Sequence, residues 1–168
     1  GLSSDGLTVA IGAMYNDGNG ENSGHVRVFK LDGGSWSQVG SDIDGESAGD
    51  HSGCVVSLSS DGLTVAIGAI GNDGGADSIN DNRGHVRVFK LIGSNWSQLG
   101  NDIDGESAGD LSGCSVSLSS DGSIVAIGAA ENDGNGANSG HVRIYEWNGS
   151  SWLLQGQDID GETVYSRS

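Results

Sequence analysis

Leu58-Ser59-Ser60-Asp61-Gly62-Leu63-Thr64-Val65-Ala66-Ile67-Gly68-Ala69 is the stretch on which the fold turns. Asp-Gly between two apolar runs marks a tight hairpin, because the glycine accepts the backbone angles that the reversal demands. The run after it, Leu63 to Ala69, is nearly all apolar, as suits a strand buried on both faces. Upstream, Cys54 to Leu58 places Val56 and Leu58 on one face and Val55 and Ser57 on the other. Downstream of a long polar loop, His85 to Leu91 sets His85, Arg87 and Phe89 against Val86, Val88 and Lys90. A glycine-containing turn leads to a fourth strand, Asn95 to Leu99, and the acidic connection Asp102-Ile103-Asp104-Gly105-Glu106 leads out of the unit. No segment has an apolar period of 3.6, and β-branched residues dominate the apolar clusters.

The same unit recurs on both sides. Leu2-Ser3-Ser4-Asp5-Gly6 and Leu118-Ser119-Ser120-Asp121-Gly122 repeat the hairpin. Gly84-His85-Val86-Arg87-Val88-Phe89 has counterparts at Gly24 to Phe29 and Gly140 to Tyr145, and Trp96 has counterparts at Trp36 and Trp152. The Asp-Gly turns lie 56 and then 60 residues apart, the four extra residues falling around Ala76 to Asn82. Near-identical units point to repetition of one supersecondary element. A β-sandwich has no equivalent strands, and a solenoid uses shorter repeats. The expectation is an all-β fold of β-propeller blades: three four-stranded antiparallel repeats of 56–60 residues in a single domain of 168 residues. Blade 1 covers about residues 1–46, blade 2 about 47–106 and blade 3 about 107–162, with a divergent tail at 163–168. Three blades make a partial ring, read either as a piece of a longer propeller or as half of a six-bladed homodimer in which Val164 to Ser168 complete the partner's first blade.

These units resemble the FG-GAP repeats of integrin-α-like propellers and their relatives in secreted microbial and algal proteins. Gly53-Cys54-Val55-Val56-Ser57 and Gly113-Cys114-Ser115-Val116-Ser117 look like the family's first strand, with Ser52 and Ser112 where the family has Phe. Val65-Ala66-Ile67-Gly68-Ala69 looks like the end of its second strand, with Ile70 in place of the usual Pro, and Gly-His-Val-Arg-Val-Phe like its third. WD-type propellers rank second, since no Trp here is followed by Asp. The resemblance implies a propeller, an extracellular or cell-surface setting and, in many integrin repeats, calcium in an Asp-rich loop between the first two strands. Here that loop is Ser59-Ser60-Asp61-Gly62, with one carboxylate, whereas calcium takes six to eight oxygens.

Seven Lys and Arg against 23 Asp and Glu give a formal charge of −16. Such a surface repels nucleic acid and anionic membranes. No apolar run approaches the roughly 20 residues of a membrane span. The 31 glycines follow no three-residue period, so the chain is not collagen.

The acidic connections are the metal candidates: Asp42, Asp44, Glu46 and Asp50, and again Asp102, Asp104, Glu106 and Asp110. Alternating carboxylates around a glycine suit a hard cation such as Ca2+. The competing account is an Asp/Gly turn capped by its own side chains. The loops after the second strands differ most in the second unit, where Asp73, Asp77 and Asp81 are ligand candidates together with Trp147, which replaces Leu31 and Leu91. His25, His85 and His141, with Arg27, Arg87 and Arg143, read as glue between blades, and Trp36, Trp96 and Trp152 as inter-blade packing. Cys54 and Cys114 read as buried free thiols.

No nucleophile elbow, zinc spacing or isolated acid/base pair appears. The expected function is a non-catalytic extracellular binding or adhesion module, with a protein or glycan partner at a cell surface or matrix. The alternatives are a structural, self-assembling unit without a small ligand, and a lectin-like propeller or propeller enzyme.

Overall fold

The computed structural model describes residues 1–74 and 80–167. Three antiparallel sheets follow one another along the chain. Blade 1 contains β1 (Thr8–Ala13), β2 (His25–Asp32), β3 (Ser35–Gln38) and β4 (Ile43–Asp44). Blade 2 contains β5 (Ser52–Leu58), β6 (Thr64–Ala69), β7 (His85–Ile92), β8 (Asn95–Gln98) and β9 (Ile103–Asp104). Blade 3 repeats it with β10 (Ser112–Leu118), β11 (Ile124–Ala129), β12 (His141–Trp147), β13 (Trp152–Leu154) and β14 (Ile159–Asp160). The strand order is sequential, β5-β6-β7-β8 and β10-β11-β12-β13, as in propeller blades.

The acidic connection does more than link units. β8 pairs only with the outer half of β7, Phe89 to Ile92, which leaves the edge at His85 and Val86 free. β9 fills it, with His85 opposite Asp104 and Val86 opposite Ile103. Ile103 is buried there at 6 % exposure and anchors the connection. Two residues of alternation are too short a signal to show as a strand, so the four-strand expectation gains a short fifth.

Blades stack face to face. Val65, Ile67 and Phe89 of blade 2 pack on Ala10, Val26, Val28 and Ile43 of blade 1. Val125 and Ile127, with Tyr145 and Trp152, pack in the same way on Ala66, Val86, Val88 and Ile103. Each fully buried Val or Ile contributes about 1.5–3 kcal/mol. β6 lies inside two such seams and is buried along its whole length, which accounts for its apolar run.

Glycine permits the close approach. A Cβ on Gly12 would strike the Gly53 carbonyl of the next blade, and one on Gly68 would strike that of Gly113. Gly53 itself has φ 84° within the register shift between Ser52 and Val55. The Ser-Asp-Gly hairpins line up along one rim, where Ser4 N donates to Ser60 O (3.0 Å) and Ser60 N to Ser120 O (2.8 Å).

The tail departs from the repeat in sequence but keeps its backbone course. Tyr165 N donates to Ala137 O, as Gly49 N does to Glu21 O. Tyr165 takes φ 62° where Gly49 takes 85°. Ser166 Oγ accepts from Thr163 N, in the place of the Asp50 carboxylate that caps Ser47 N. Residues 163–167 thus sit on the rim of their own blade. Both cysteines are free thiols, and each lies near the carbonyl of its own blade's second strand, Gly68 or Gly128 (3.3 Å). Cys54 is partly covered by blade 3. Cys114 is exposed rather than buried, because its face meets no further blade among the described residues.

Candidate ligand grooves at the blade seams

Each seam has a polar edge outside its apolar centre. Arg87, on β7, reaches back across the first seam to donate to the Asp44 carbonyl (2.7 Å), and lies 3.5 Å from Glu46. Its guanidinium also stacks over Phe89 (5.3 Å), which holds the fork flat against the seam. Arg143 repeats this with the Asp104 carbonyl (2.8 Å), Glu106 (3.2 Å) and Tyr145. Trp96 donates its indole N–H to Val39 O and Trp152 to Leu99 O, both at 2.8 Å. Arg87, Arg143, Trp96 and Trp152 thus act between blades, whereas Arg27 and Trp36 are exposed.

The histidines face mainly their own blade's connection. His85 Nδ1 lies 3.8 Å from Asp102, and His141 Nδ1 3.8 Å from Asp158 and 3.9 Å from Glu106. Burial holds His85 down to about 4, against an ordinary 6.5, with the Asp102 charge opposing the shift. Burial also raises Glu46 and Asp104 above the usual carboxylate range, and for Asp104 the neighbouring Asp102 adds to the effect.

The acidic quartets do not stay together in space. Asp50 and Asp110 are buried and serve their own turns: Asp50 accepts from Glu46 N and Ser47 N, and Asp110 from Ser107 N and Asn132 Nδ2 (2.9 Å). Asp42 and Asp44 gather at His25, Glu46 crosses the seam to His85 and Asp102, and Glu106 crosses to His141 and Asp158. Each trio brings three ligand atoms within 4.8 Å of one another. In both cross-seam trios the Glu also faces an Arg, whose charge already offsets it. Sequence proximity hid this regrouping, since each Glu meets partners that lie in the next repeat of the chain. At the family's own calcium position the residues do not fit the ion: the Asp61 carboxylate accepts from Ser59 Oγ (2.6 Å) and Leu63 N (2.9 Å) of its own turn.

The other ligand candidates are similarly engaged. Asp73 accepts from Asn80 N and Asn82 N, so it shapes its loop. Asp81 pairs with Arg83 at 2.6 Å. Asp77 lies outside the described residues. Trp147 sits opposite Trp152 across β12 and β13, ring centres 5.4 Å apart, and is half-buried rather than the most exposed indole.

Two equivalent grooves open beside these pairs, and sequence analysis missed them. The first, ≈ 370 Å³, is lined by Asp42, Asp44, Arg87, Phe89 and Trp96. The second, ≈ 350 Å³, is lined by Asp102, Asp104, Tyr145, Ser151 and Trp152. Each combines two carboxylates from one blade with an aromatic wall from the next. The repetition of Asp-Ile-Asp and Trp was visible in the sequence; that they meet across a seam was not.

Residues 103–145 match the FG-GAP repeat family. These residues are an FG-GAP repeat. The preceding unit carries nearly the same sequence from Ile43 to Phe89, with the four-residue insertion in its polar loop. No curated protein matches the chain. Among solved structures, a candidate 6-phosphogluconolactonase from Bacteroides uniformis is similar at 13 % identity and TM-score 0.59, over 100 % of this chain and 42 % of that one. A hypothetical selenium-binding protein from Sulfolobus tokodaii is similar at 9 % identity and TM-score 0.54, over 92 % of this chain and 38 % of that one. A prolyl endopeptidase is similar at 15 % identity and TM-score 0.51, over 94 % of this chain and 21 % of that one. The chain therefore spans about two fifths or less of these proteins, and the likeness shows the fold alone. No helix among the described residues is long and apolar enough to cross a membrane.

Proposed function

We propose that this FG-GAP chain is a non-catalytic, extracellular binding module that holds a polyhydroxyl ligand, a glycan of a cell surface or matrix, in its seam grooves. The observation that carries this is the recurrence of one groove at both seams, with paired carboxylates facing an aromatic wall. Carboxylates accept hydrogen bonds from sugar hydroxyls, and aromatic faces cover the apolar side of a sugar ring. A ligand with a repeating unit would meet the same groups twice, so weak single contacts add through effective concentration. FG-GAP repeats are typical of extracellular proteins, which supports the setting. The enzymes among the structural neighbours share only the fold, at 13 % and 15 % identity, and lend no catalytic residue.

A glycan array followed by calorimetry tests the proposal. Expected is binding of an oligosaccharide that weakens at least about tenfold in Asp42→Asn/Asp102→Asn, with the fold retained by circular dichroism. An array without a single binder, or full binding by the double variant, overturns it.

A further inference from the structure

We infer that the imidazole and two carboxylates that meet at each internal seam, Glu46 with His85 and Asp102 and again Glu106 with His141 and Asp158, bind a first-row divalent ion of the Zn2+ class that ties one blade to the next.

The chain builds both sites from the same two motifs. The imidazole comes from the third strand, at its Gly-His-Val-Arg start, and the carboxylates from two successive acidic connections. One connection serves two sites: Asp102 turns to His85 of its own blade, and Glu106 reaches His141 of the next. In each trio the three ligand atoms lie within 4.8 Å of one another.

The histidines are aimed into these clusters without a partner. His85 is 1 % exposed, and its Nε2 is sealed from solvent with no hydrogen bond among the described residues. Its Nδ1 faces Asp102 Oδ2 at 3.8 Å. His141, 2 % exposed, faces Glu106 Oε2 at 3.9 Å and Asp158 Oδ2 at 3.8 Å, again through Nδ1. A nitrogen and a carboxylate that share a proton close to about 2.7–2.9 Å. Around a tetrahedral Zn2+, bonds of about 2.0–2.1 Å set neighbouring ligand atoms about 3.4 Å apart. The observed spacing is too long for the first and near the second.

Arginine orients the glutamate rather than consuming it. Glu106 turns Oε1 to Arg143 (3.2 Å) and Oε2 to His141, so one oxygen is held from outside while the other faces the cluster. Glu46 Oε1 meets Arg87 in the same way (3.5 Å). Glu46, Asp102 and Asp104 line one open polar cavity of ≈ 480 Å³, through which water reaches a further coordination position. Arg87 offsets one of those three carboxylates, and the two charges left over match a divalent ion. One imidazole with two carboxylates suits Zn2+, whereas Ca2+ takes six to eight oxygens.

Calorimetric titration of ZnCl2 into EDTA-treated, desalted protein tests the inference. The probe is the metal alone, so the result is independent of whether a glycan binds. Expected is a Kd of about 10 µM or tighter, with a melting temperature that rises as zinc is added. Weaker binding overturns the inference. Glu46→Gln combined with Glu106→Gln keeps side-chain size at two exposed positions and removes a charged ligand from both sites. This variant is expected to bind zinc at least about tenfold more weakly and to lose the melting shift, while its melt in EDTA shows that the fold survives. Nitrogen NMR of the histidines locates the ion: Nδ1 of His85 and of His141 moves on zinc addition, and that of His51 does not. A double variant that binds like the parent, zinc that leaves His85 and His141 unmoved, or displacement of the zinc by millimolar Ca2+ overturns the inference.

Discussion

The indole N–H of Trp96 donates to the backbone carbonyl of Val39 across 2.8 Å and across the seam between two blades. The same bond joins Trp152 to Leu99. The aromatic body covers the seam while its one polar atom is satisfied by the neighbouring backbone, so the contact fixes register as well as burying area.

Trp96→Phe keeps most of the ring and removes the donor. It is expected to cost about 1 kcal/mol, and Trp96→Ala about 3–5 kcal/mol. Urea unfolding followed by far-UV circular dichroism measures both, free of the lost indole fluorescence.

Gly68→Ala is expected to lose about 1–3 kcal/mol or more, because the new Cβ would run into the Gly113 carbonyl of the next blade, where no side chain can move aside. Gly93→Asn is the control. Gly93 has positive φ (65°), unlike Gly68, yet nothing lies within reach of a Cβ there, and Asn tolerates that region at below about 1 kcal/mol. Thermal melts of the pair separate seam contact from backbone conformation.

Stability is expected to fall on acidification between 6.5 and about 4, the ordinary and the native titration points of His85. Within that window the unfolded chain binds the proton and the native one does not, so each step down in pH favours unfolding. Above 6.5 both states are neutral and the effect vanishes. Asp102, Arg87, Asp50 and Glu46 are the charges around the ring. His85→Gln, compared across pH by urea midpoint, is expected to flatten the slope; an unchanged slope would assign it to other groups.

Asp110→Ala is expected to cost about 1–3 kcal/mol with or without added calcium, since the carboxylate is committed to Ser107 N and Asn132 Nδ2. Melting in EDTA and in millimolar Ca2+ checks this. A loss seen only with the ion present would place Asp110 at a cation instead.

The sequence determined the unit. Asp-Gly hairpins, the apolar run at Val65 to Ala69 and the recurring Gly-His-Val-Arg motif are local signals of turn and strand. Their close recurrence implied three equivalent blades, and the FG-GAP match then identified the repeat. Strand pairing within each blade was legible because its partners are neighbours along the chain. The short strand at Ile103 and Asp104 was not, because it exists only where β8 leaves part of β7 open. The tertiary structure alone decided which groups face one another across a seam. It took Glu46 away from Asp50 and delivered it to Arg87 and His85. It also turned the equivalent Ile11 and Ile67 into an exposed and a buried residue. Identical local sequence yields both outcomes, because burial is set by whether a blade stacks against that face, and no single repeat encodes its neighbour.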